Sequence, residues 1–287
     1  MERKVCLITG ANSGIGKAAS VQMLLKGYHV VMACRNGQRG REALDEIKQQ
    51  SGSDAVELLV VDMSLQASIK KTAQEFKSKH ERLDVLISNA AAFDIAQKEP
   101  VKTQEGIESI WAANHLGPVL LVDEMMEPLK RSGQARIITV ASQGLMMHPL
   151  LKVDLKDPEF EMRCFSVPKA YYQSKLAQVM YTYWLAEKLK STRITVNCVR
   201  VTNVKIDVSR YPNLSHAARA AYELKSRKSI SPQQMAQTYV WLADAPELDG
   251  VTGKYFDHHN QEVKSSQYSR NPQQIEALMQ RTYAYIK

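Results

Sequence analysis

Apolar residues fall along this chain in short uninterrupted runs, separated by longer stretches in which they recur every three or four positions. Runs such as Val5-Cys6-Leu7-Ile8, LDVLIS (83–88) and ARIITVA (135–141) are continuous instead of alternating, the pattern of strands covered on both faces. Strands are predicted at about 4–9, 28–34, 56–61, 83–88, 135–141, 193–199 and 253–257. The helical period between them predicts helices at about 14–26, 38–50, 65–80, 103–130, 169–190, 232–244 and 272–286. Strand and helix alternate throughout, so the expected fold class is α/β: a doubly wound, seven-stranded parallel sheet with helices on both faces. No repeat, low-complexity tract or Pro/Gly-rich linker divides it, which predicts one domain over 1–287 with halves meeting near 140. The longest irregular stretches are about 143–168 and 202–230.

Composition narrows the class. With 287 residues and 44% apolar content, the chain can bury one large core. Lys and Arg outnumber Asp and Glu by 38 to 30, giving a net charge of +8 scattered without long runs of one sign. A mildly basic surface suits a phosphorylated cofactor or an anionic substrate; lacking a basic arm or interleaved aromatics, it does not predict nucleic-acid binding. No stretch approaches the roughly 18 apolar residues of a membrane span, and Met1 lies only a few residues before the first strand, so a cytoplasmic protein with no leader and no integral membrane segment is expected. Cys6, Cys34, Cys164 and Cys198 are too dispersed for a metal motif. Three lie in apolar runs and should be buried thiols, whereas Cys164 falls in an irregular segment where it could be exposed. The adjacent His258 and His259 read as surface residues, and no metal site is expected.

The segment TGANSGIG (9–16) follows the first strand and opens the first helix. A helix N-terminus carries unsatisfied N–H groups and a partial positive charge, so it can hold a pyrophosphate if nothing bulky intervenes. Gly10 permits the tight turn, and Gly14 and Gly16 allow close approach of backbone to phosphate and of helix to strand. Asn12, Ser13 and Ile15 complete this candidate nucleotide loop of a Rossmann-type fold. The spacing is GxxxGxG instead of GxGxxG, and a ligand-free tight turn is the alternative reading. The second strand ends in Arg35, with Arg39 nearby and no acid before Glu42. A guanidinium there suits a 2′-phosphate, so NADP(H) is expected over NAD(H). Asp62, followed by Met63, could accept from the adenine amino group or cap the next helix, and Asn89-Ala90-Ala91 are small where the chain must pass close to the cofactor.

AYYQSK (170–175) adds chemistry. Tyr171 and Lys175 stand four apart in a predicted helix and share a face, so the ammonium can favour the phenolate and make Tyr171 a usable proton donor or acceptor. Tyr172 cannot take that role, because its partner four residues on is Leu176.

Taken in order, TGxxxGxG, NAA, an Asn in the fourth helical region, a Ser closing the fifth strand and YxxxK resemble the short-chain dehydrogenase/reductase superfamily over nearly the whole chain. ANSGIGK, ACRN, NHLG, AYYQSKLA and TGKYF look most like the branch of retinol dehydrogenases and light-dependent protochlorophyllide reductases. The resemblance implies that Tyr171 is the general acid/base and that Lys175 lowers its pKa and binds the nicotinamide ribose. It implies that Ser142 hydrogen-bonds the substrate carbonyl and that Asn114 holds a water relay to Lys175. Turn capping by Ser142 and purely backbone bonding by Asn114 are the plainer alternatives. Together these imply an NADPH-dependent oxidoreductase moving hydride between the nicotinamide and a carbonyl or alcohol. A carbon-carbon double-bond reductase and a cofactor-binding regulator with weakened turnover are the alternatives. The family pairs through its fourth and fifth helices, here about 103–130 and 169–190, so a homodimer is possible.

Two departures stand out. Arg200-Val201 replace the family's Pro-Gly after the sixth strand, leaving Thr202 and Asn203 as candidates to hold the carboxamide. Ser142 and Tyr171 are 29 residues apart, which places an insertion, Met146 to Pro168, beside the site. Its Met146, Met147, Leu150, Leu151, Phe160 and Phe165 either line a cavity for a hydrophobic small-molecule substrate or simply pack under a long loop. Segment 203–230 is also expected to shape the pocket, with NLSHAARAAYELKSRK (213–228) as a helical lid.

Overall fold

Seven parallel strands stand in the order β3-β2-β1-β4-β5-β6-β7 in a computed structural model that describes residues 3–94, 96–205, 226 and 229–286. They are β1 (Val5–Thr9), β2 (His29–Cys34), β3 (Val56–Val60), β4 (Val85–Ser88), β5 (Arg136–Ser142), β6 (Thr195–Val201) and β7 (Lys254–Phe256). Every strand lies within about two residues of its expected place. β1 and β4 are fully buried, as their continuous apolar runs require. The expected doubly wound sheet is what forms.

The helices are α1 (Gly14–Leu25), α2 (Gly37–Ser51), α3 (Gln66–Lys79), α4 (Ser109–Trp111), α5 (Gly117–Glu124), α6 (Met126–Arg131), α7 (Val167–Lys188), α8 (Pro232–Asp244) and α9 (Pro272–Tyr283). One face of the sheet packs against Ile69, Phe76, Trp111, Leu120, Met180 and Leu278. The other packs against Ala19, Met23, Ile47, Met235, Tyr239 and Leu242. Winding reverses between β1 and β4, because β2 and β3 continue one way from β1 and β4 to β7 the other. Connections diverge there and leave a crevice at the strands' C-terminal ends, so Thr9, Cys34, Ser88 and Ser142 all end at its rim.

The helix expected over 103–130 is the main correction. Lys102 bridges Glu108 antiparallel, Gly106 takes φ +78°, and the helix begins only at Ser109. A left-handed glycine cannot continue a right-handed helix, and the Glu108 carboxylate caps α4 by accepting the N–H groups of Ile110 and Trp111 at 2.9 and 2.8 Å. One turn of π-helix, Ala112–Leu116, then interrupts the segment and carries Asn114. Such turns concentrate at functional sites. The lid expected over 213–228 lies outside the described residues except Ser226. No described helix is long and apolar enough to cross a membrane.

Candidate active site

The glycine loop is held from three sides. Gly10 and Gly14 adopt φ +66° and +55°, a region that L side chains rarely tolerate. Gly16 has another reason: a Cβ there would stand 2.5 Å from the Gly10 carbonyl oxygen and 2.6 Å from Asn89 Nδ2. Asn89 Nδ2 donates to Thr9 O at 2.9 Å, the Ala90 N–H donates to Thr9 Oγ1 at 2.9 Å, and Tyr239 OH donates to Asn89 Oδ1 at 3.1 Å. The N–H groups of Ala11 and Asn12 donate toward the Cys34 sulfur, whose thiol burial pushes up to about 11. Ser13 is the N-cap of α1 in extended conformation, yet its side chain makes no cap bond. The first-turn amides are therefore not covered by Ser13, Gly14 is exposed, and Ile15 packs inward against the core. That cradle suits a pyrophosphate.

Around this loop, Arg35 and Arg39 are both exposed, and neither side chain has an acidic partner among the described residues. Asn36, not Arg39, organises the turn, its side chain accepting the Arg39 N–H at 2.9 Å to cap α2. Asp62 does not cap α3. Its Oδ1 accepts the N–H and hydroxyl of Ser64 at 2.9 and 2.7 Å, and the first amides of α3 donate to Glu105 instead, at 2.9 and 3.1 Å. The Met63 carbonyl lies where a Cβ on Gly117 would be 2.0 Å away, so α5 packs directly on this strand end. Ala90 is half-buried, while Ala91 is exposed along the crevice.

Across the crevice, α7 begins at Ser166, whose hydroxyl accepts the Lys169 N–H at 3.4 Å, with Pro168 in the first turn. Its first turns carry Tyr171 and Lys175. Lys175 is only 2% exposed, and its Nζ lies 5.6 Å from the centre of the Tyr171 ring. Burial pulls the Lys175 ammonium down to about 8. Nζ donates to Val140 O at 3.0 Å, its one acceptor among the described residues. An ammonium has three hydrogens to place, so this buried cation suits a ligand hydroxyl as a further partner. Phe93 meets the Tyr171 ring edge-on at 4.8 Å. Tyr172 turns elsewhere: Gly144 lacks the Cβ that would stand 2.4 Å from its hydroxyl, and its ring packs on His148 at 4.8 Å. The two tyrosine rings still meet edge-on at 5.4 Å, but it is Tyr171 that stands beside Lys175.

Ser142 ends β5 and accepts the Gly144 N–H at 3.2 Å, which leaves its own hydrogen to donate. It caps the turn that follows the strand. Asn114 is more committed: Nδ2 donates to Ala92 O and Ser174 Oγ at 3.0 and 3.1 Å, and Oδ1 accepts the Ala92 N–H at 2.6 Å. Its side chain therefore fastens the loop after β4 to α7 through both a backbone group and the Ser174 hydroxyl, and it has no bond to Lys175 among the described residues. Arg200 and Val201, expected after the sixth strand, lie inside β6, which runs on to Val201. Arg200 pairs with Asp257 at 3.4 Å, and Thr202, just beyond the strand, donates to the side chain of Gln143. Asn203 O accepts the Ile230 N–H at 3.0 Å.

The insertion divides in two. Phe160 is buried against Phe165, Ile110 and Val167, with the Arg163 guanidinium 3.8 Å over its ring, and Leu151 packs on the main core. Met147 and Leu150 are 80% and 90% exposed, and Met146 also faces outward. Cys164 is exposed and the other three cysteines are buried, as expected. Gln173, not singled out by the sequence, ties the insertion to α7: Nε2 donates to Pro158 O at 2.9 Å, and Oε1 accepts from Arg163 at 2.7 Å and Asp154 N at 3.2 Å. A buried glutamine inside YxxxK is the only signal that marks it. Phe93, Gln143 and Tyr239 carried none, because their partners come from distant turns.

Residues 4–151 match the family described as short chain dehydrogenase. Retinol dehydrogenase 14 of Mus musculus is 34% identical over 267 residues, covering 89% of this chain and 78% of that protein. The chain belongs to the short chain dehydrogenase family. Polyprenol dehydrogenase of Homo sapiens is 33% identical over 275 residues, covering 93% of this chain and 80% of that one. In fold the chain matches L-sorbose reductase of Gluconobacter frateurii, solved with NADPH and L-sorbose, at a TM-score of 0.70 and 20% identity, over 93% of this chain and 97% of that one. As a family member it is an oxidoreductase, and the retinol dehydrogenase branch expected from its motifs is the one its relatives occupy.

Proposed function

We propose that this dehydrogenase is an NADP(H)-dependent enzyme that interconverts a carbonyl and an alcohol on a hydrophobic small molecule. The observation that carries the reading is the buried Lys175 ammonium beside Tyr171, held by one protein acceptor at 3.0 Å. When bound, NADPH supplies hydride to the carbonyl carbon. Tyr171 donates the proton to the carbonyl oxygen, and in the opposite direction accepts it from the alcohol. The Lys175 ammonium stabilises the phenolate left on Tyr171 and offers its remaining hydrogens to the nicotinamide ribose. Ser142 donates its hydroxyl hydrogen to the same substrate oxygen, stabilising charge that builds there. Asn114 holds Ala92 and Ser174 in place, and the glycine loop, Asn89 and the α1 N-terminus receive the pyrophosphate. Arg35, assisted by Arg39, takes the 2′-phosphate, since both guanidiniums are exposed and lack acidic partners among the described residues.

A hydrophobic substrate is supported by Met146, Met147 and Leu150, which stand exposed on the segment following Ser142, and by relatives named for retinol and polyprenol. The test is NADPH consumption with long-chain aldehydes and ketones, and NADP+ reduction with the matching alcohols. Turnover lower by about 10²–10⁴-fold in Tyr171→Phe is expected; turnover unchanged by that substitution overturns the assignment. Reduction of an enone at carbon-carbon instead of carbonyl would move the reaction within the same site. A regulator that binds cofactor without turning over has one observation in its favour, the Arg200–Asp257 pair where the family has Pro-Gly. NADPH binding without turnover across the whole panel would favour it.

A further inference from the structure

At the N-terminal edge of the sheet, opposite the crevice, three polar side chains end an otherwise apolar layer. His29, Val31 and Ala33 alternate onto one face of β2, as do Glu57 and Leu59 of β3 and Val61 just beyond it. α3 covers that face with Ile69, Ala73 and Phe76, and its C-cap is His80. The periodicities of two strands and a helix therefore converge on His29, Glu57 and His80, which lie 28 and 23 residues apart in sequence. Both imidazoles turn Nε2 toward one oxygen, Glu57 Oε1, His29 at 3.4 Å and His80 in direct contact. One donor atom from each residue lies within 4.8 Å of the others, the only such cluster of three among the described residues.

We propose that His29, Glu57 and His80 form a divalent transition-metal site, with zinc as the best-suited ion and water completing its shell. Two imidazole nitrogens and a carboxylate oxygen are a ligand set that zinc favours, and their separations need only small side-chain rotations to surround an ion at about 2.0–2.2 Å. The side chains are 30%, 25% and 14% exposed, so an ion can enter and retain a water ligand. Among the described residues Lys79 is the one cation paired with the cluster, 3.7 Å from Glu57 Oε2, and it already holds Glu75 at 2.8 Å, so it can yield that oxygen. Phe76 packs on the His80 ring at 4.8 Å and limits its rotation. Nothing of Tyr171 or the glycine loop is involved, so the ion's role is structural: it clamps the end of α3 to the outer strands. Spacing along the chain could not show this site, because no two of its ligands share an element.

The experiment uses the untagged full chain, stripped with chelator and titrated with Zn2+ while thermal unfolding is followed, and with Co2+ for its visible ligand-field absorption. A rise of a few degrees in the unfolding midpoint with one equivalent of Zn2+, and a tetrahedral-type Co2+ band, are expected. Both should disappear in His80→Gln and in Glu57→Gln, and both should survive in a His258→Gln/His259→Gln control. Should His80→Gln fail to fold, His29→Gln at the strand edge gives the same reading. Absence of both responses in the unaltered chain, or their persistence in the site variants, overturns the proposal.

Discussion

The turns after β1 and after β6 lie on the same rim of the sheet and are built in opposite ways. The first is shaped by missing side chains: Gly10 and Gly14 lie at positive φ, Gly16 has no room for a Cβ, and its remaining groups are tied by Asn89, Thr9 and Cys34. The second is shaped by added ones: Arg200, at the end of β6 itself, pairs with Asp257, and Thr202 just beyond the strand donates to Gln143. A turn that presents backbone to a ligand common to many enzymes admits little variation. A turn that is held by side-chain pairs can be re-aimed. Cofactor recognition should therefore be robust, and what is particular to this enzyme should lie between Ser142 and α7 and beyond Val201.

The largest effect should come from the chemistry between the two turns. Tyr171→Phe should lower turnover by about 10²–10⁴-fold while the Kd for NADPH stays within about twofold, read by steady-state kinetics beside nucleotide titration. Lys175→Met should abolish turnover as well, with an opposite sign in stability. Burial holds this ammonium at about 8 against an ordinary 10.5, so between those values the unfolded chain binds more protons. The cofactor-free protein should gain stability as pH rises from about 8 toward 10.5, by up to about 3 kcal/mol. In Lys175→Met that rise should flatten, and the unfolding midpoint at neutral pH should exceed that of the unaltered chain. A steeper rise in the variant would show that the charge is not the destabilising element.

Smaller effects sharpen the contrast itself. Arg35→Ala should weaken NADPH by about 10–100-fold and leave NADH nearly unchanged, since a charge-assisted pair with the 2′-phosphate is the only contact removed. Gly16→Ala should weaken both nucleotides by about tenfold, because the new methyl would displace Gly10 or Asn89. Asp257→Asn should cost about 1 kcal/mol of stability and leave nucleotide binding alone, as a partly buried ion pair away from the glycine loop. Strong loss of NADPH affinity in that variant would mean that the β6 turn, too, supports the cofactor.

Much of this is legible in the chain. Continuous apolar runs identify the strands because a parallel sheet is buried on both faces, and the i, i+4 step brings Lys175 beside the Tyr171 ring. The N-terminal part of the 103–130 segment departs from its helical period because Gly106 and Glu108 act through a turn and a cap instead of through periodicity. Asp62 and Asn114 fall at the expected places along the chain, yet their bonds to Ser64, Ala92 and Ser174 depend on neighbours that no local pattern encodes. The insertion's apolar residues look alike in sequence and separate only in three dimensions, Phe160 and Phe165 inward, Met147 and Leu150 outward.

Titration of the purified protein with NADPH and with NADH, followed by nicotinamide fluorescence, tests the central claim most directly. The account predicts saturable NADPH binding with NADH weaker by an order of magnitude or more, and with that preference lost in Arg35→Ala. Binding of neither nucleotide, or equal affinity for both, would contradict it.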